Sequence, residues 1–285
     1  MNTIDAILYI NLDNRLDRKE SILNEIQKIG FDSSIVHRIP AVYNDKCGHL
    51  GCGLSHISAL DLAIKNNWKR AIVFEDDFHF AVGSEELDGF IQEADNLPHW
   101  DVLLLAKGHL SVTEQIGHLQ KTDGCSTTSG YIVQNHYYTV LQKNFKESVK
   151  IMEEQLKHYI RSCTDPFETI GREFETIRIP EKFKSESSEE VLIRYGDPHM
   201  GWVEKKVHKN ETFEAFNTFF GHDPSPGRLK YVQIYCPHDI PENIPKFVHG
   251  VCAIDQHWSI LQRRDHFYLT DPIVGYQGGY GSDTS

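Results

Sequence analysis

From residue 4 to residue 105, short, almost wholly apolar runs alternate with segments whose apolar residues recur at helical spacing. That alternation restricts the chain to an α/β fold. Ile4 to Leu12 is the first apolar run and reads as a strand covered on both faces. Ile22, Leu23, Ile26 and Ile29 then share one helical face, with Asp17 placed to cap its start and Gly30 to end it. A strand near Ile35–Val42, a helix carrying Leu54, Ile57, Leu60 and Ile64, and the run Ala71-Ile72-Val73-Phe74 continue the pattern. Ser84 is placed to cap a helix with Leu87, Phe90, Ile91 and Ala94 on one face, and Val102-Leu103-Leu104-Leu105 follows as a buried strand. Repeated β-α-β order predicts a mostly parallel, doubly wound sheet.

Beyond a polar linker with Gly108, Gly117 and Gly124, Tyr131-Ile132-Val133 reads as a strand, and Leu141, Phe145, Val149, Met152 and Leu156 as a helix face. The composition then shifts. Pro166, Pro180, Pro198, Pro224, Pro226, Pro237, Pro241 and Pro245 are gathered here, with alternating segments Val191–Tyr195, Trp202–Val207 and Lys230–Cys236 between turn signals. These features predict a β-rich insertion over residues 158–249 in an α/β domain formed by 1–157 and 250–285, the α/β pattern resuming at Val251. Ser185-Glu186-Ser187-Ser188-Glu189-Glu190 reads as a linker.

At 285 residues the chain is long enough to bury a core without metal or disulfide staples. Its 41 acidic and 29 basic residues give a net charge of −12, and no window concentrates Lys and Arg, which argues against nucleic acid as a ligand. No apolar stretch approaches the ~20 residues of a membrane span. The first residues, Met1-Asn2-Thr3-Ile4-Asp5, lack the pattern of a secretory signal, so the chain reads as cytoplasmic. Cys47, Cys52, Cys125, Cys163, Cys236 and Cys252 lack Cys-x-x-Cys spacing and read as reduced thiols.

The sharpest chemical feature is Glu75-Asp76-Asp77 directly after a buried strand, because ligands of open α/β sheets bind beyond the carboxyl ends of strands. Adjacent carboxylates repel unless positive charge lies among them, and hard cations such as Mg²⁺ or Mn²⁺ prefer oxygen ligands and often hold substrate phosphates. The alternative is a solvated acidic turn. Asn11-Leu12-Asp13-Asn14-Arg15-Leu16-Asp17-Arg18 leaves the first strand for a helix, bringing Arg15 and Arg18 toward the same edge as phosphate-binding forks or as surface ion-pair partners. Gly48-His49-Leu50-Gly51-Cys52-Gly53-Leu54-Ser55-His56 is a Gly-rich approach to a helix without either nucleotide-loop fingerprint. Asp255 sits at a helix start, as an N-cap or as a carboxylate able to act as a base.

Taken together these segments resemble glycosyltransferase family 25, which contains lipopolysaccharide-type glycosyltransferases and procollagen galactosyltransferases. Tyr9 to Arg18 resembles its opening motif, Leu50 to His56 its Gly-Cys-x-Leu-Ser-His segment, and Phe74-Glu75-Asp76-Asp77 its Asp-x-Asp-type metal motif. Ser129 to Val133, Ile254-Asp255 and Gly281-Ser282-Asp283-Thr284 are further matches. The resemblance implies a GT-A fold, a UDP-sugar donor (UDP-galactose or UDP-glucose), Mn²⁺ or Mg²⁺, a glycan or hydroxylated acceptor, and inversion at the anomeric carbon. It implies that Asp77 binds the metal, that Glu75 and Asp76 contact the donor ribose or metal-bound water, and that Asn11, Arg15 and Arg18 surround the nucleotide. Asp255 is the candidate base. Two other readings share the acidic cluster or the insertion: a phosphohydrolase and a non-catalytic carbohydrate-binding protein.

Overall fold

The structure, a computed structural model, describes residues 3–183, 188–236, 246–247 and 252–278. The chain separates into two compact units, Met1–Tyr159 with Pro245–Ser285, and Ile160–Ile244. Among the described residues no helix is long and apolar enough to cross a membrane, and no disulfide links the six cysteines.

The first unit begins β1 (Ala6–Asn11), α1 (Leu16–Ile29), β2 (Val36–Pro40), α2 (Gly48–Asn66), β3 (Arg70–Glu75), β4 (Phe78–Phe80), α3 (Ser84–Asp95) and β5 (Val102–Leu104). It continues through β6 (Leu110–Ile116), β7 (Leu119–Cys125), β8 (Gly130–Gln134) and α4 (Tyr138–Thr164), which runs five residues past Tyr159. The second unit carries β9 (Phe167–Arg172), β10 (Thr176–Arg178), β11 (Glu190–Asp197), β12 (Gly201–His208), β13 (Thr212–Glu214), α5 (Asn217–Phe220) and β14 (Tyr231–Tyr235). The chain then completes the first unit with α6 (Ile254–His257), α7 (Ser259–Gln262), β15 (Phe267–Thr270) and β16 (Gly275–Gln277).

Eight strands of the first unit form one sheet in the order β2-β1-β3-β8-β5-β15-β7-β6. Strand alternation divides its core in two: Leu8, Ile10 and Val73 pack with α2 and α4 residues such as Leu60 and Phe145, while Ile7, Tyr9 and Ile72 pack with Ile22, Ile26, Leu87 and Ile91 of α1 and α3. The class is α/β, with helices on both faces. The sheet is mixed, however, where a mostly parallel one is expected: β2–β1, β1–β3 and β5–β15 are parallel, whereas β8 runs antiparallel to β3 and β5, and β7 to β15 and β6. The buried run Tyr131–Val133 announces a strand but carries no information on direction, because an apolar strand buried on both faces looks the same either way.

Other local expectations shift. The polar stretch expected to be a linker is the β6–β7 hairpin, which turns at Gly117 with φ +56°; β6 is exposed along most of its length, so no alternation marks it. The N-caps of α1 and α3 are Arg15 and Gly83 in place of Asp17 and Ser84. Glu86 supplies the capping bond, accepting the Gly83 N–H at 3.0 Å. Gly30 ends α1 in the left-handed region as expected. The Gly-rich approach lies inside α2 itself, and its glycines serve packing: a Cβ on Gly51 would stand 2.3 Å from the Val42 carbonyl oxygen.

In the second unit β12-β11-β14-β9 form an antiparallel sheet and β10-β13 a second, smaller one. Ile193, Tyr195, Val232 and Ile234 share a core with Phe213 and Phe220. Pro237, Pro241, Pro245, Ser185-Glu186-Ser187, Val251 and Gly281-Ser282-Asp283-Thr284 lie outside the described residues.

Candidate active site

Because β1 and β3 are parallel neighbours, Asn11 and Glu75 finish at the same edge of the sheet, and Asp76 and Asp77 form the link to β4. Both aspartates are buried. The Asn11 Nδ2 amide donates to Asp76 Oδ2 at 2.7 Å and to the Arg15 carbonyl at 3.0 Å. Arg38 of β2 secures the other side of Asn11, donating from Nε to Oδ1 at 3.1 Å and from Nη2 to the main-chain oxygen at 2.9 Å. Arg18, buried in the first turn of α1, places Nη1 3.2 Å from Asp76 Oδ1 and 3.8 Å from Asp77 Oδ2.

Asp77 is the least compensated of the three acids. Its Oδ2 accepts from Gln277 Nε2 at 3.1 Å, while its buried Oδ1 has no hydrogen-bond partner among the described residues. Burial, then the neighbouring Glu75 charge, raises its pKa to about 7, against the pull of Gln277 and Arg18. Burial likewise keeps Asp76 above the usual carboxylate range despite Asn11 and Arg18. Burial works against the Glu75 charge too, but His56, Thr128 and Arg18 prevail and hold its pKa below the ordinary value. The buried His56 ring bridges Glu75 Oε1 (3.2 Å from Nε2) and the Tyr131 hydroxyl (3.1 Å from Nδ1), and Thr128 Oγ1 donates to the same Glu75 oxygen at 2.8 Å.

Two adjoining clefts open here, with empty volumes of about 670 and 920 Å³, and both are lined by Cys52, Glu75, Asp77 and Gln277. The first cleft also presents Asn11, Arg18, Asp76 and the segment Ala41–Asn44; the second presents His49, Thr127, Thr128 and Asp255. Asp255 is thus brought across roughly 180 residues of sequence to the acidic cluster. It is not a helix cap: the N-cap of α6 is Ala253, and Asp255 lies within the first turn. The Thr127 N–H and the Gln256 amide stand 3.4 Å from its Oδ2, and burial followed by the Glu75 charge lifts its pKa above the usual value. Arg15 is placed differently. Its guanidinium pairs with Asp17 at 3.0 Å and it lines neither cleft, reaching the cluster through its carbonyl.

Two donor groups here have metal-ligating chemistry. The strand-end carboxylates offer oxygen only, with Asp77 Oδ1 unsatisfied. Cys52, His56 and Glu75 also converge within 4.8 Å. Both His56 nitrogens are already engaged, however, and burial, with Glu75, Asp255 and Asp77 around it, keeps the Cys52 thiol protonated. A hard cation therefore fits at Asp77 better than a thiophilic one at Cys52.

Residues 46–113, which include α2, Glu75, Asp76 and Asp77, match the family described as glycosyltransferase family 25 (LPS biosynthesis protein). The resemblance to glycosyltransferase family 25 stands. A Haemophilus influenzae protein named "Putative glycosyltransferase" is 48% identical over 40 residues, which span 14% of this chain and 14% of that protein. Among solved structures, a Thermus thermophilus mannose-1-phosphate geranyltransferase aligns with TM-score 0.37 and 8% identity over 53% of this chain and 64% of its own. A glycosyltransferase involved in glycosylation of the PBCV-1 major capsid aligns with TM-score 0.35 and 9% identity over 50% and 64%.

Sequence reasoning missed Arg38, Gln277 and Thr128. Arg38 is a single arginine in a short strand, and Gln277 bonds Asp77 from 200 residues away, so neither carries a local signal.

Proposed function

We propose that the double cleft binds a UDP-sugar, UDP-galactose or UDP-glucose, with Mn²⁺ or Mg²⁺, and transfers the hexose with inversion to a hydroxyl on a glycan or hydroxylated side chain. The observation that carries this reading is the unsatisfied, buried Asp77 oxygen beside Glu75 and Asp76, in the segment that matches family 25. Asp77 would hold the cation, with Glu75 and Asp76 beside it. When bound, the cation neutralises charge on the departing diphosphate.

The chain's own groups divide the remaining work. Asn11, clamped between Asp76 and Arg38, lines the first cleft as a fixed wall for the nucleotide, and Arg18 supplies positive charge there. Arg15 contributes the carbonyl that orients Asn11. Asp255, in the adjoining cleft, accepts the proton of the acceptor hydroxyl as its oxygen bonds to the anomeric carbon and the bond to diphosphate breaks. Its raised pKa brings it nearer to the operating pH, where a base is most effective. His56 and Thr128 keep Glu75 ionised and oriented.

The test is incubation with UDP-sugars and Mn²⁺, with and without sugar acceptors. Acceptor-dependent release of UDP with a new glycosidic product is expected. Donor cleavage at the same rate without acceptor would assign the site to a phosphohydrolase, and binding without turnover across acceptors to a carbohydrate-binding protein.

A further inference from the structure

At the sheet edge opposite the cleft, four residues from three strand ends meet. Asp101 directly precedes β5, His99 lies two residues earlier, His136 follows β8, and His266 precedes β15. They converge because β15 runs parallel to β5 and β8 antiparallel to it, so two strand starts and one strand end share that edge. Gln134, beside Asp101, pairs with Arg70 at the start of β3, whereas Glu75 ends that strand. Five residue steps at ~3.3 Å put the two edges ~16 Å apart.

Asp101 is 3% exposed, and three half-exposed imidazoles surround its carboxylate. His99 Nε2 and His136 Nε2 lie 2.9 and 2.8 Å from the same oxygen, Oδ1. The ligand atoms of these three residues all fall within 4.8 Å of one another. Oδ2 accepts the main-chain N–H of His266 at 2.9 Å, and His266 Nδ1 stands 3.4 Å from it. The His99 ring centroid is 4.9 Å from those of both His136 and His266.

We propose that His99, Asp101 and His136, with His266 beside them, form a divalent-cation site for a borderline ion of the Zn²⁺ class, separate from the cleft. Two or three imidazole nitrogens with one carboxylate oxygen is the donor set such ions prefer, in contrast to the oxygen donors at Asp77. Zn–N and Zn–O bonds of ~2.0–2.2 Å at tetrahedral angles separate ligand atoms by ~3.3 Å. The 2.8–2.9 Å spacings here need open by only ~0.4–0.5 Å, which rotation of half-exposed rings supplies. The His266 N–H on Oδ2 is the kind of outer bond that orients a ligating carboxylate. Binding takes the Nδ1–H tautomers of neutral His99 and His136: each Nε2 proton is exchanged through solvent for one on Nδ1, and the freed Nε2 lone pairs go to the ion. This site does not depend on the function proposed for the cleft.

The experiment uses the full chain carrying Asp77→Ala, which removes the proposed cation ligand of the cleft, titrated with Co²⁺ and Zn²⁺ alone. Calorimetry, the visible d–d absorption of tetrahedral Co²⁺ and the melting temperature are read. One equivalent is expected, with a Co²⁺ band that Zn²⁺ displaces and a melting temperature raised by a few degrees at saturation. Adding His99→Ala and His136→Ala should remove the band and weaken Zn²⁺ at least ~100-fold. His136→Gln keeps an N–H donor for Asp101 but no imidazole lone pair, so it should weaken Zn²⁺ while leaving the metal-free melting temperature near that of the parent. Absence of a Co²⁺ band in the parent, or equal Zn²⁺ affinity after both histidines are replaced, overturns the proposal and leaves Asp101 as a hydrogen-bond hub.

Discussion

Asp77 and Asp101 are both buried carboxylates at ends of the same sheet, and their surroundings differ in kind. Asp77 has carboxylates as neighbours, one amide donor and an unsatisfied oxygen, and burial lifts its pKa to about 7. Asp101 has imidazoles on both oxygens and a main-chain N–H besides. The lesson is that burial alone does not define a site. At one edge the protein tolerates an electrostatic deficit that a hard cation would relieve; at the other it satisfies the acid with imidazoles, the donor type that borderline metal ions prefer.

The contrast breaks first at Asp255, where the largest effect is expected. Asp255→Asn retains a polar side chain of the same size but cannot take a proton at neutral pH, so transfer should fall by ~10²–10⁴ with UDP-sugar binding and melting temperature unchanged. Near-normal transfer would remove the base from this position. Because burial raises the Asp255 pKa, the acid limb of the rate profile in the parent should lie above the ordinary carboxylate range.

Next, Asp77→Ala should weaken Mn²⁺-dependent donor binding at least ~100-fold in calorimetry, since Asp77 would hold the cation that offsets the charge of the diphosphate. Wild-type affinity in that variant would dissolve the distinction between the two edges.

A smaller effect sharpens the same point through pH. The Asp77 carboxyl has an unfolded pKa of ~3.9 and a folded one raised to about 7, so between those values the folded state holds the extra proton. Stability of the metal-free protein should therefore fall as pH rises from ~4 through 7, and Asp77→Asn should flatten that fall. Melting curves across the window check this, and saturating Mn²⁺ should restore the loss at pH 7.5. A wild-type profile parallel to that of the variant would contradict the buried, uncompensated acid.

The smallest expected effect is at the other edge. His136→Ala should leave donor binding and transfer within about twofold of wild type, because ~16 Å of strand separates it from the cleft. A loss comparable to that of Asp77→Ala would mean that the edges are coupled.

The acidic cluster was legible because a carboxylate triplet directly after an apolar strand has a fixed place in an α/β sheet, and Asn11 and Arg18 because they leave the neighbouring strand. Arg15 sits in the same motif, yet one position on a helix start turns its guanidinium to Asp17. For Asp255 the sequence left a cap and a base open, and the structure removes the cap, since helix boundaries one or two residues apart look alike in sequence. The histidine cluster left no signal, because His99, His136 and His266 are scattered singly and only strand direction gathers them.

The sequence by itself determined the alternation of strands and helices, the two-faced core and the acids at the end of β3, because periodicity and burial act over neighbouring residues. The tertiary structure alone decided that β8 and β7 run antiparallel, that Asp255 shares a cleft with Asp77, and that Arg38 and Gln277 fix the cluster's geometry. Those outcomes depend on which distant segments pair, and pairing is settled by the packing of the whole sheet.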